Sequence, residues 1–339
     1  MFRSFRMFAL CLAMLAASSL ASPPTGAANQ TVVVYSVRNE QLIKPLFDRF
    51  TAETGITVKF TTADAAVLIE RLAAEGKNGQ ADLLMTVDAG ELWNAANRGL
   101  LRPTRSKILE ANVPATLRDP ENRWVGLSQR ARTVVYHPER VEARLLGTYE
   151  DLAKPEWRGR LCLRSSKKVY NQSLVAMMIS AQGEAATETF VRGWVANLAA
   201  PPFANDNQVI EAIAAGQCDV GLVNTYYLGR MLQRTHSLPV KIHWATQRGD
   251  GTHMNISGAG ITRHARNPLA AQKLLEWLSA GEAQQLFASS NMEYPVNPKV
   301  EIDPLVQSWG RYTPSRINIV ESGRHQAAAV RVMDRAGWR

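Results

Sequence analysis

Three of the eight tyrosines, Tyr170, Tyr226 and Tyr227, fall where an apolar run gives way to a helical pattern. Tyr170 follows Leu161-Cys162-Leu163 in the stretch Arg164-Ser165-Ser166-Lys167-Lys168-Val169-Tyr170-Asn171-Gln172. Tyr226 and Tyr227 follow the apolar run Asp219–Asn224. A phenolate is a hard anionic oxygen, suited to a hard, highly charged cation such as ferric iron rather than to a soft metal. A free phenol ionises only near pH 10, so the metal's charge must drive its deprotonation. Binding through phenols therefore releases protons and weakens in acid. A carboxylate, water or small anion would complete the shell, and a helix N-terminus with an arginine holds such an anion well. By spacing alone, the Tyr226-Tyr227 pair also reads as two half-buried aromatics packed at a helix start.

A third loop of the same kind, Ser36-Val37-Arg38-Asn39-Glu40, follows Val32–Tyr35. Other chemistry finds less support. The histidines at 137, 236, 243, 253, 264 and 325 show no paired zinc-site spacing. Ser165 to Lys168 reads S-x-x-K, but the S-D-N and K-T-G companions of a serine acyltransferase are missing. Gly258-Ala259-Gly260 is too short for a dinucleotide fingerprint, and there is no P-loop or Gly-x-Ser-x-Gly elbow.

The elements that position these loops alternate. Val32–Tyr35, Ile56–Phe60 and Asp82–Val87 read as strands, with helices over 42–50, 67–74 and 89–97 stopped at Gly55, Gly76 and Gly99. This βαβαβ order predicts an α/β fold with a mostly parallel sheet. Pro103, Pro114 and Pro120 mark an irregular stretch, and residues 124–136 read as an extended segment crossing to a second lobe. There the pattern resumes, with strands at 161–163, 219–224 and 241–245 and helices over 173–181, 207–215 and 227–233. Residues 268–290 read as one or two amphipathic helices. The expected organisation is a signal segment at 1–28, a first lobe of 29–125 plus 251–303, and a second lobe of 126–250 plus 304–339. In open α/β sheets ligands bind beyond the carboxyl ends of the strands, so the three loops should face a hinged cleft.

Arg3 and Arg6, the apolar run Met7–Leu15 and the small residues after it have the pattern of an export signal. Its removal takes Cys11 and leaves Cys162 and Cys218, either a disulfide or two buried thiols. The net charge is +9, or +7 without Arg3 and Arg6, yet the Lys and Arg residues are spread and no nucleic-acid motif accompanies them. A solvated basic surface suits an anion-chelated metal.

Beyond these features, the chain resembles the periplasmic ferric-ion-binding proteins, the bacterial transferrins of the tyrosine-rich type. The matching stretches are YSVRNEQLIKPLFDRFTAETGI (35–56), ADLLMTVDAGELW (81–93), GLSQRARTVVY (126–136), LCLRSSKKVYNQSL (161–174), CDVGLVNTYYLGR (218–230) and NISGAG (255–260). The resemblance implies a two-lobed type II solute-binding fold and no enzymatic activity. It implies a monomer in the periplasm that carries ferric iron, with carbonate as a candidate companion anion. The partners would be an inner-membrane permease and its ATPase. It makes Tyr170, Tyr226 and Tyr227 the iron ligands and puts Arg130, with Arg132 as the neighbouring alternative, beside the anion. Many relatives carry His-Tyr after the first strand where this chain reads Asn39-Glu40. Glu40 is then either a carboxylate ligand or an acid placed for the helix dipole. A solute-binding protein for a small anion or polyamine, and an enzyme using Ser165 and Lys168, are the competing readings.

Overall fold

The computed structural model describes residues 30–235, 237–246 and 248–339. The signal segment read over 1–28 lies outside them. β1 (Thr31–Ser36) is a run of β-branched residues that sends Val32 and Val34 into the core. α1 (Glu40–Thr54) follows, with Ile43, Leu46, Phe47 and Phe50 on its buried face, the spacing of one helical stripe. Gly55 ends α1 at φ 73°, and its amide bonds the Thr51 carbonyl. The alternation continues as β2 (Thr57–Thr62), α2 (Ala65–Glu75), β3 (Leu83–Thr86) and α3 (Ala89–Asn97). β1 lies between β2 and β3, parallel to both. Parallel strands place the three loops that follow them at one edge of the sheet.

The proline-punctuated stretch is less irregular than its composition predicts. It contains α4 (Lys107–Asn112), started by Ser106, whose Oγ accepts from the Leu109 amide. β4 (Val125–Tyr136) comes next. Then come β5 (Leu161–Cys162), α5 (Val169–Gln182), α6 (Glu184–Ala196), α7 (Asp206–Ala214), β6 (Val220–Asn224), α8 (Thr225–Thr235) and β7 (Lys241–His243). The chain returns through β8 (Met254–Ile261), α9 (Pro268–Leu278), α10 (Gly281–Ser289) and β9 (Tyr294–Pro295). It closes with α11 (Pro304–Gln307), α12 (Val320–Arg324) and α13 (Gln326–Arg335).

Among the described residues these strands form one nine-stranded sheet, in the order β2-β1-β3-β8-β4-β6-β5, with β7 and β9 also on β4. β4 belongs to both lobes. Val125–Ala131 pair with β8, and Arg132–Tyr136 pair with β6 and β7. The close approach of β8 to β4 relies on glycine: a Cβ at Gly258 would lie 2.5 Å from the Val125 carbonyl oxygen.

Each lobe buries both faces of its part of the sheet. In the first, Val32, Phe47, Phe50 and Leu274 pack on one side, and Tyr35, Leu68, Leu92 and Trp124 on the other. In the second, Leu174, Trp194, Leu222 and Trp338 fill one side, and Ile210, Ile213, Val223 and Leu228 the other. Ile319 and Val320 pack in the first lobe, whereas Ala329, Val332 and Met333 pack in the second. Cys162 and Cys218 form a disulfide, with Cα atoms 5.9 Å apart and a sequence separation of 56.

Candidate metal centre

Tyr226 and Tyr227 do not sit on a loop: β6 ends at Asn224 and α8 begins at the next residue. Both rings are therefore in the first helical turn, where a helix leaves its backbone N–H groups without intrahelical partners. Tyr170 occupies the same kind of position, second in α5. A buried frame fixes the two helix starts together. The Arg132 guanidinium donates to Asn171 Oδ1 (2.9 Å), Asp206 Oδ2 (3.0 Å), Asn224 Oδ1 (3.1 Å) and the Leu222 carbonyl (3.0 Å). Asn171 in turn donates to the Arg164 and Ser165 carbonyls, and the Asn224 amide donates to Asp206. Arg132, 1% exposed, is thus a strut beneath the site, while Arg130 reaches its wall.

The cavity between the lobes measures about 290 Å³. The second lobe lines it with Lys168, Tyr170, Tyr226, Tyr227 and Arg230, and the first with Arg38, Asn39 and Asp64. Arg130 and Ser257, on the two hinge strands, close its floor, and Glu293 stands beside them. The Tyr226 and Tyr227 rings stack with centroids 4.4 Å apart, and the Tyr226 and Tyr170 hydroxyls share a hydrogen bond. Arg164 Nη1 lies 3.4 Å from the Tyr227 hydroxyl. Cations surround the rings, with Arg130 5.5 Å and Lys168 4.8 Å from the Tyr170 centroid, and Arg230 5.0 Å from each of the other two. Burial pushes the Tyr170 phenol up to about 12 and Tyr226 well above its ordinary value, while Arg130 opposes both shifts. Tyr170 and Tyr226 are therefore harder to ionise than a free phenol.

The first lobe's face is built differently. Arg38 Nη1 donates to Ser257 Oγ (2.5 Å), Nη2 to Glu293 Oε2 (2.9 Å), and the guanidinium lies over the Phe287 ring. Ser128 also donates to Glu293, at 2.7 Å. Burial alone would raise the Glu293 carboxyl, but Arg38 and Arg130 outweigh it and hold the group below the usual carboxylate range. Arg130 donates to Ser257 Oγ (3.2 Å) and to the Val87 carbonyl. At the floor Asp88 receives bonds of 2.6 Å from Ser173 of the second lobe and Asn255 of the hinge strand. Burial raises the Asp88 carboxyl, and it pushes neighbouring Glu91 up to about 8.

The structure thus brings Tyr170, Tyr226, Tyr227 and Arg130 together. It does not bring Glu40 with them: Glu40 is exposed as the first residue of α1, and Arg38 and Asn39 make the cavity wall there. Ser165 and Lys168 are not joined either. Ser165 Oγ accepts from the Lys167 amide, while the Lys168 ammonium lies over Tyr170. His253 is buried beside the hinge with both ring nitrogens unpartnered, off the cavity wall. Among the described residues no group of three or more His, Cys, Asp or Glu is placed to hold a metal ion. Sequence reasoning missed Arg38, Arg230 and Glu293. Arg38 lies in a loop already singled out, and Arg230 lies one helical turn beyond the tyrosine pair. Glu293 follows no strand pattern and carries no local signal.

Comparison with known proteins bears on this arrangement. The family model described as bacterial extracellular solute-binding protein matches residues 35–285. Iron uptake protein A1 of Synechocystis is 40% identical over 316 residues, covering 91% of this chain and 88% of that protein. The Fe(3+)-binding periplasmic protein of Serratia marcescens is 29% identical, covering 85% and 88%. Among solved structures, Trichodesmium IdiA (FutA) in complex with iron and citrate ligands superposes with a TM-score of 0.87 at 41% identity, covering 91% of this chain and 100% of that one. Ferric iron-binding protein A of Mannheimia haemolytica, in an open conformation, gives 0.85 at 38% identity, covering 91% and 99%.

Proposed function

The chain belongs to the bacterial extracellular solute-binding proteins, and from that premise we propose that it captures ferric iron between its lobes for an ABC importer. One observation carries the reading: three phenols on two adjoining helix starts converge on one cavity. Tyr170, Tyr226 and Tyr227 are the proposed ligands. Arg130 sits where a carbonate or an organic chelator would be held beside the metal, and the iron and citrate of the Trichodesmium structure support iron with an anion. Glu40 is left as an acid at a helix start. The proposed lobes are 29–125 plus 251–303 and 126–250 plus 304–339, with Ile319 and Val320 an exception that packs in the first. The protein works as a monomer in the periplasm, delivering iron to a permease and its ATPase and catalysing no reaction. The periplasmic relatives and the disulfide suit that compartment.

A visible spectrum tests the reading. Protein stripped with a chelator at mildly acid pH and titrated with ferric citrate should develop a red-orange phenolate band that saturates at one iron per chain. The band should vanish in Tyr226→Phe/Tyr227→Phe. Protein that stays colourless has no iron–tyrosinate site. The second reading, a small anion as cargo, draws on the four cations lining the cavity, which also argue against a polyamine. Citrate that binds equally well with and without iron would favour it.

A further inference from the structure

The end of the first lobe opposite the cleft carries a second charged surface. β1, β2 and β3 begin there, at Thr31, Thr57 and Leu83, and β8 ends there at Ile261. Lys77, Arg102, Arg263, His264 and Arg266 stand exposed around a hollow floored by Leu72, Ala81 and Leu100. The backbone holds them side by side. The Arg102 amide bonds the Ile261 carbonyl (2.9 Å), and the Arg263 amide bonds the Leu100 carbonyl (2.8 Å). The Arg266 guanidinium reaches the carbonyl of Asn78, next to Lys77, at 3.3 Å.

Elsewhere on the surface, arginines such as Arg49, Arg71, Arg98 and Arg192 are paired with carboxylates. None of the five basic residues at this pole takes part in an ion pair found among the described residues. The carboxylate at the rim, Glu75, is engaged by Arg71 and the Tyr35 hydroxyl.

Two further features share this pole. Leu269, at the start of α9, is 77% exposed, well above the other exposed large apolar side chains. The chain also enters the fold here. The Thr57 amide bonds the Gln30 carbonyl, and Asn267 Nδ2 bonds the Thr31 carbonyl at 2.9 Å. Gln30, the first described residue, therefore lies at the same pole as the basic residues.

We propose that this pole is a contact surface for an anionic phospholipid bilayer. Unpaired cations around an exposed leucine are the composition that holds a protein at charged headgroups while one apolar side chain enters the interface. Docked this way, the protein keeps its cleft turned away from the lipid and open to solvent.

The test is sedimentation of the protein, as recovered after expression with its own N-terminal segment, with vesicles of phosphatidylglycerol mixed into phosphatidylcholine. Binding should be absent with phosphatidylcholine alone and should fall as salt rises. Arg102→Gln/Arg263→Gln/Arg266→Gln should lower partitioning by about a hundred-fold, since each cation near an anionic surface contributes about five-fold. Arg248→Gln/Arg311→Gln/Arg316→Gln removes the same charge elsewhere and should change it little. Melting midpoint and iron titration identify any variant that has lost its fold, in which case Arg266→Gln and Leu269→Gln singly carry the test. Equal loss in both triple variants reduces the effect to net charge and overturns the proposal. So does wild-type protein that ignores the vesicles. Binding of soluble polyglutamate at this pole without vesicle binding also overturns it, and points to an acidic protein partner.

Discussion

The two walls of the cleft are built from the same kind of strand ends and hold opposite chemistry. The second lobe presents three phenols, each in the first turn of a helix, over a frame centred on Arg132. The first lobe presents Arg38, whose charge is already answered by Glu293, and no phenol. The difference teaches that the proposed metal site would be preassembled on one lobe. The other lobe faces it with neutralised charge and hydrogen bonds. A tyrosine needs only to be held, since the arriving cation drives its ionisation. A buried guanidinium must have its counter-ion before any ligand appears, because an unpaired buried charge is costly.

Several changes would break or sharpen this contrast. The largest effect belongs to Tyr226→Phe/Tyr227→Phe, which should abolish saturable iron binding while leaving the fold intact, as iron titration and far-UV circular dichroism would show. Next is the staple confined to the second lobe. Cys162→Ser/Cys218→Ser opens a 56-residue loop and should cost about 4 kcal/mol in urea unfolding, with iron stoichiometry unchanged in the folded fraction. Glu293→Gln strands Arg38 and should cost about 3 kcal/mol. Because the folded Glu293 carboxyl lies below its ordinary value, its contribution is present above the usual carboxylate range and is lost as pH falls through the folded value. The variant should lack that part of the acid dependence.

Iron affinity itself should follow pH with the opposite lobe's signature. Tyr170 and Tyr226 are held protonated at neutral pH, so binding displaces at least two protons. Affinity should fall by at least about a hundred-fold per pH unit of acidification, measured by competition with a chelator corrected for its own protonation. The smallest effect is that of Glu40→Gln, which should shift stability by less than about 0.5 kcal/mol and leave the spectrum unchanged. A clear loss of the phenolate band in that variant would bring the first lobe into the coordination shell.

What could be read in advance followed the range of the interactions concerned. Asp219–Asn224, an apolar run meeting a helical pattern, places Tyr226 and Tyr227 through local periodicity alone. Even there the junction came out tighter than the pattern implied, because α8 starts with no intervening loop. Prolines 103 and 114 masked α4, since Ser106 caps a helix short enough to fit between them. The pairing of Cys162 with Cys218 was open until both strands were placed. Arg38 and Glu293 form their ion pair across 255 residues. Nothing near either position announces the other, and only the return of the chain through β8 and α10 brings them together.

The C-terminal segment gives the second lobe a temporal constraint. Trp338 packs edge-on against Trp194 and donates to the Arg164 carbonyl, in the stretch that leads to Tyr170. The Ser166 amide bonds the Arg339 carbonyl in the same stretch. A chain made from its N-terminus can complete the first sheet before position 338 has been added. The phenol-bearing lobe must wait for it. A chain that lacks the segment around Trp338 therefore has no finished support for the stretch that leads to Tyr170.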